Sequence, residues 1–149
     1  MPPIDAVNVE SLLPHRGRML LVDEILAVSD DEASTRSIAR GDWPLCADGS
    51  INPLILVELV AQTAGIHNSL KRIEQRGRGE PTRGWLVGVK SARFHVDVIA
   101  PGDTVVTTTA NAFVFENLRE IKGRVTIDGQ PAADVVLQIV EAQQAPAEQ

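Results

Sequence analysis

The chain has 149 residues, 44% of them hydrophobic and 23% charged, which is the size and composition of one ordinary domain with a real core. A formal net charge of -6 argues against nucleic-acid binding by the surface as a whole, and no apolar run approaches the ~18 residues that read as a membrane span. Cys46 is the only cysteine, so no intrachain disulfide can form, and MPPIDAVNVE carries no basic-then-apolar leader pattern; a cytoplasmic protein is expected.

In chain order, IDAVNVESLL predicts a short helix capped by Asp5 or Asn8 and ended by Pro14 and Gly17. Two strands follow, roughly Met19 to Val28 and Glu32 to Ala39, on either side of the polar turn SDDE. GDWPLCADGSINP is a loop by composition. It leads to Pro53, which suits a first helical turn, with Asn52 or Ser50 as the cap. The helix is predicted from Leu54 to about Gln75. Its first turns are apolar nearly all round, which calls for burial on all sides, and its last turns narrow to a stripe of Ile66, Leu70 and Ile73. RGRGEPTRG is a basic loop. Strands are then predicted over Trp85–Val98, Thr104–Phe115, Leu118–Ile127 and Pro131–Val140, with DGQ the strong hairpin signal before the last.

The short connections after the helix make those strands antiparallel neighbours. A helix that is apolar all round needs cover on every side, which a curved sheet and a second subunit would supply. The expected fold is therefore α+β, a hot-dog in which a long central helix is wrapped by a curved antiparallel sheet. One domain is expected over residues 1–141, with 142–149 a polar, frayed tail.

Within INPLILVELVAQTAG, from Ile51 to Gly65, Glu58 is the one carboxylate in an apolar run. An isolated buried carboxylate is costly, so Glu58 should have a partner, an altered proton affinity or a chemical task. Gln62 lies one turn further on the same helix face, where it can orient Glu58 or satisfy nearby backbone.

Three segments in order, LLPHRGRMLLVDEIL, PLILVELVAQTAG and SARFHVDVIAPGD, resemble the 3-hydroxyacyl-[acyl-carrier-protein] dehydratases of fatty-acid synthesis and their hot-dog relatives. The resemblance covers most of the chain. It implies a homodimer with sheets joined edge to edge, and a tunnel at the subunit interface for the acyl chain and its phosphopantetheine arm. No metal and no cofactor are expected. The family's helix acid maps onto Glu58. Its second catalytic group is a histidine in a Gly-His-Phe-Pro loop before the helix, acting across the interface. The matching stretch here is Gly41-Asp42-Trp43-Pro44, with aspartate in the histidine position.

Dehydrating a 3-hydroxyacyl thioester needs a base at the carbon beside the thioester, an acid for the departing hydroxyl, and donors for the thioester oxygen. Burial favours the protonated form of a carboxylate, which would suit Glu58 to the acid's part. Backbone N–H groups near the helix start are expected to polarise the carbonyl. The base is open: Asp42 is the candidate, set against its reading as an ordinary loop residue. Trp43, Pro53 and Gln62 are expected to contact substrate. His15 reads as a loop anchor and Cys46 as an unreactive thiol. His67 and His95 read as surface or sheet residues; His95 is a further option for the base, whereas His67 points away from Glu58. The basic run containing Arg76, Arg78 and Arg83 is expected either to be solvated or to dock an anionic acyl carrier protein or coenzyme A. The leading expectation is a 3-hydroxyacyl thioester dehydratase or a dehydratase-like relative. The alternatives are a hot-dog acyl thioesterase, and a noncatalytic acyl-thioester binder or inactive dimer partner.

Overall fold

The computed structural model describes residues 7–77 and 83–142. Six strands form one antiparallel sheet: β1 (Glu24–Val28), β2 (Glu32–Ile38), β5 (Arg83–Phe94), β6 (Thr104–Phe115), β7 (Leu118–Ile127) and β8 (Gln130–Ala142), in the spatial order β1-β2-β6-β7-β8-β5. Two short strands, β3 (Cys46–Ala47) and β4 (Ser50–Ile51), make a separate hairpin before the single long helix α1 (Ile55–Arg76). This is the expected hot-dog arrangement. Register shifts in β1, β5, β6 and β8 pairings bend the strands, and the bent sheet curves around α1. No described helix is long and apolar enough to cross a membrane.

Alternation sets which side of each strand meets α1. Ala33, Thr35 and Ser37 of β2 are buried, as are Val105, Thr107 and Thr109 of β6 and Ala133, Val135 and Leu137 of β8. Leu56, Leu59, Val60, Thr63, Ala64, Ile66 and Leu70 of α1 face them. Thr35 and Thr63 hydroxyls bond across the helix–sheet contact at 2.8 Å. Gly123 of β7 is required by closeness: a Cβ there would stand 2.4 Å from Val60 Cγ1 and 2.7 Å from Val60 Cγ2.

Most element boundaries fall within two residues of the sequence expectation, and the larger differences are these. The N-terminal helix is reduced, among described residues, to a 3₁₀ turn at Val9–Ser11, where Asn8 Oδ1 accepts from Glu10 N at 3.0 Å. The first strand starts at Glu24 instead of Met19, because Gly17–Met19 form another 3₁₀ turn and the backbone of Met19 and Leu21 bonds to a side chain instead of a strand. The strand after the helix ends at Phe94 instead of Val98; beyond it Ile99 exchanges two backbone hydrogen bonds with Ile51 of β4, at 2.8 and 2.9 Å. The β3–β4 hairpin was unforeseen. Its turn, Asp48-Gly49, has positive φ at both residues (54° and 75°), as does Asp128-Gly129 (48° and 84°) between β7 and β8. That Asp-Gly signature was legible at both places.

His67, expected on the surface or in the sheet, is 1% exposed in α1, with Nε2 2.9 Å from Ser29 O in the β1–β2 turn. Burial lowers its pKa below the usual 6.5; the Ser29 hydrogen bond opposes this, and Lys71 reinforces it.

Two outcomes follow from this packing. Gly123→Ala should cost about 1–3 kcal/mol by overpacking, and Val60→Ala on that background should restore part of the loss in urea unfolding. His67 is neutral in the fold at pH values where the unfolded chain already takes up a proton. Its contribution is therefore complete above pH 6.5 and is lost as pH falls from 6.5 through the folded-state value. His67→Gln, which can still donate to Ser29, should show a smaller loss of stability on acidification than the wild type.

Candidate active site

Glu58 lies in the first turn of α1. Its side chain is 32% exposed, so it is not the fully buried charge that the apolar run alone implied. Val57 and Ala61, on the same flank, are also part-exposed: the cover over α1 stops short of this stripe. The carboxylate is held by two groups. Gln62 Nε2 donates to Glu58 Oε1 at 3.1 Å, and His15 Nε2 lies 3.0 Å from the same oxygen. No hydrogen bond engages Oε2 among the described residues.

Gln62 is 1% exposed and its amide orientation follows from its backbone partners. Leu21 N–H can only donate, and it reaches Gln62 Oε1 at 3.0 Å. Met19 C=O can only accept, and Gln62 Nε2 reaches it at 2.7 Å. The amide nitrogen therefore faces Glu58, and Glu58 Oε1 accepts.

The PHR segment is pinned just before these groups. Leu12 and Leu13 are buried, and Arg16 closes over the chain, its Nη1 donating to Leu13 O and His15 O at 2.7 Å each and its Nη2 to Glu10 O at 2.9 Å. Ser69 Oγ of α1 donates to Leu12 O at 3.2 Å. These anchors set the His15 ring against Glu58. His15 is thus a loop anchor that also touches the acid, a contact no spacing rule could reveal, since the two residues lie on separate elements far apart in sequence.

Asp42 is placed elsewhere in the chain. Its side chain is 66% exposed and accepts from Arg40 Nε at 3.1 Å, while Arg40 also reaches Leu20 O at 3.1 Å and Asp23 at 3.5 Å. No hydrogen bond joins Asp42 to Glu58 within the chain, so the two do not form a carboxylate pair there. Trp43, expected to touch substrate, is 1% exposed and belongs to the core, and its indole N–H has no partner among the described residues. Pro53, also expected to touch substrate, is buried at the helix entrance, where its carbonyl accepts from Leu56 N at 2.9 Å.

The N–H groups of the helix's own first turn are taken up within that turn. Leu54 N donates to Asn52 Oδ1, Ile55 N to Asn52 O, Leu56 N to Pro53 O and Val57 N to Leu54 O, all within 3.1 Å. His95 is 41% exposed, with Nε2 2.9 Å from Asp134 Oδ2 and no hydrogen bond to Glu58. Arg78 lies outside the described residues, as do the side chains of Arg76 and Arg83. Among the described residues, no group of three His, Cys, Asp or Glu side chains is gathered to hold a metal.

One long helix in a curved antiparallel sheet is the hot-dog fold, here with an acid on a part-exposed helix flank. Residues 7–148 match the model of the ApeP-like family, described as ApeP dehydratase, and the chain belongs to that family. Among curated relatives, the 3-hydroxyacyl-[acyl-carrier-protein] dehydratase FabZ of Streptococcus uberis is 29% identical over 142 residues, covering 90% of this chain and 95% of the relative. The enzyme of that name from Streptococcus sanguinis is 28% identical, again over 142 residues, with 90% and 95% covered. Among solved structures, the dehydratase heterocomplex ApeI:P from Xenorhabdus doucetiae superposes with a TM-score of 0.83 at 20% identity, covering 93% of each chain. A hypothetical thioesterase with coenzyme A from Streptococcus pneumoniae gives 0.62 at 13% identity, covering 83% of this chain and 88% of that one. At such identities these structures speak for the fold.

The Gln62 clamp predicts a local effect. Gln62→Leu leaves the buried Leu21 N–H unpaired, which should cost roughly 1–3 kcal/mol. Amide hydrogen exchange at Leu21 should accelerate more than exchange in the β7–β8 ladder.

Proposed function

We propose that the chain dehydrates 3-hydroxyacyl thioesters to the conjugated enoyl thioesters, with Glu58 as the proton-transferring group. The observation that carries this reading is the clamped carboxylate. Glu58 is held at Oε1 by two neighbours, is part-exposed on one flank of α1, and has no hydrogen bond to Oε2 among the described residues. Membership of a dehydratase family supports the reaction class. The curated relatives act on 3-hydroxyacyl groups carried by acyl carrier protein, and by analogy we take an acyl thioester on such a carrier, or on coenzyme A, as the substrate. Arg76, Arg78 and Arg83 lie in a run whose positive charge suits docking of such an anionic carrier.

The site calls for a second subunit. β5 is an edge strand with β8 on one side only, and Trp85, Leu86, Val87 and Val89 on it are exposed. A long apolar edge is normally covered or paired. Pairing β5 with the same strand of a second copy would join two sheets and close a channel over the Glu58 flank. The ApeI:P neighbour is a heterocomplex by its own description, so a mixed pair is the second form of the same arrangement.

Purified protein should turn a 3-hydroxyacyl thioester into a product with enoyl-thioester absorbance and release no free thiol. Glu58→Gln should lower that rate by roughly 100-fold or more. Thiol release without enoyl product would instead indicate a thioesterase.

A further inference from the structure

One end of the sheet is apolar on the face turned away from α1. Phe113 and Phe115 of β6 are 53% and 61% exposed, and their rings stack with centroids 6.5 Å apart and planes 13° from parallel. The register places both on the outer face. Phe113 pairs with Glu120 and Phe115 with Leu118, whereas the alternate β7 residues Ile121, Gly123 and Val125 are buried against the helix side. The apolar row runs on across the sheet, from Leu118 to Val140 of β8 and from Val140 to Trp85 of β5, which is 50% exposed. Aromatic side chains of ~200 Å² each, half exposed, leave roughly 300 Å² of these three rings in solvent. A contiguous apolar patch of that size marks an interaction site.

The charges around the patch select what can cover it. Lys90 pairs with Glu120 at 3.0 Å on its rim, and Arg119 pairs with Glu141 at 2.9 Å on the strands behind it. Neither cation is left over for a phosphate, a lipid headgroup or an acidic protein. The turn joining β6 to β7 carries the exposed carboxylate of Glu116, which opposes insertion of this tip into an anionic lipid surface. A second copy of the chain meets no such obstacle. The rim is neutral, so the net charge of -6 is not gathered there. A two-fold axis through the patch would bring Lys90 and Glu120 of one copy toward Glu120 and Lys90 of the other. Further along the same face Arg93, Lys122 and Arg124 are exposed, with no ion pair among the described residues. Stacking of whole faces would set these cations against their own copies, so charge confines the contact to the apolar end.

We propose that this apolar sheet end is a self-association surface on which a second copy of the chain seats, separate from the β5 edge. It goes beyond the catalytic reading and does not depend on it. Pairing at β5 uses the backbone groups of an edge strand, whereas Phe113 and Phe115 stand on the outer face of β6, three strands away. The two contacts can coexist, so copies joined at β5 associate further through their sheet ends. With its rim the patch offers about 500 Å² per copy, or roughly 1,000 Å² in total, the low end of specific interfaces. The association is therefore reversible and rises with concentration. The stacked phenylalanines are its hot spot.

Sedimentation velocity of the full chain over a range of concentrations reads this directly. The weight-average mass of the wild type should rise with concentration. Phe113→Thr/Phe115→Thr, which keeps strand-forming residues in the hairpin, should need at least about tenfold more protein to reach the same mass. Phe115→Lys, a single change at an exposed position, should act alike. Both variants should unfold in urea near the wild-type midpoint, since neither ring belongs to the core. Trp85 gives an optical readout: its emission should move to shorter wavelength as copies associate, and move less in both variants. Trp43, 1% exposed, contributes a constant background. Masses that coincide for wild type and variants at every concentration would overturn the inference. So would wild-type protein that floats with phosphatidylglycerol vesicles while Phe113→Thr/Phe115→Thr does not, because the patch would then belong to a lipid surface. Variants that fall to single copies would place all self-association at the sheet end; the inference would stand and the β5 pairing would fail.

Discussion

The Gln62 side chain is the hinge of this structure. A buried primary amide must find partners for its oxygen and its nitrogen, and here it finds them in two different elements. Its oxygen takes Leu21 N–H, its nitrogen gives to Met19 O, and the same nitrogen gives to Glu58 Oε1. One residue therefore stops the first strand from beginning early, fastens Met19 and Leu21 to α1, and donates to the acid one helical turn away. The segment carrying His15 is held before it by Ser69 at Leu12, along its own path by Arg16, and after it by Gln62 at Met19. The geometry of the site is a consequence of how the backbone polar groups of a short irregular stretch are satisfied.

Much of the fold was legible in the sequence. The alternation in Thr104–Phe115 and Leu118–Ile127 matched the observed strands at both ends, since each is long, two-faced and bounded by tight turns. The helix was placed within a residue or so of Ile55–Arg76 by its apolar first turns and by Asn52 and Pro53 ahead of it. What failed was local. Among the described residues of IDAVNVESLL only Val9–Ser11 form a 3₁₀ turn, and Leu12 and Leu13 reach the core on an irregular path held by Arg16 and Ser69. Such a tertiary override leaves no mark on periodicity.

The site was half legible. Glu58 and Gln62 stood out because an acid and an amide one turn apart in an apolar helix need a reason. Trp43 and Pro53 were expected to contact substrate; within this chain they lie in the core and at the helix entrance. The His15 contact depends on a fold-back that brings a loop onto a helix, and pattern alone cannot supply it. Asp42 was singled out through the resemblance, but its surroundings, an exposed pair with Arg40, depend on where Arg40 sits relative to Leu20 and Asp23.

The dehydratase reading turns on the Glu58 carboxylate, held at one oxygen by Gln62 and His15 on the part-exposed flank of α1. Its role is read most directly by separating binding from turnover in Glu58→Gln. On this reading the variant still binds a 3-hydroxyacyl thioester, followed by calorimetry, and forms enoyl product at least about 100-fold more slowly than the wild type. A variant that binds and turns over at the wild-type rate would contradict it.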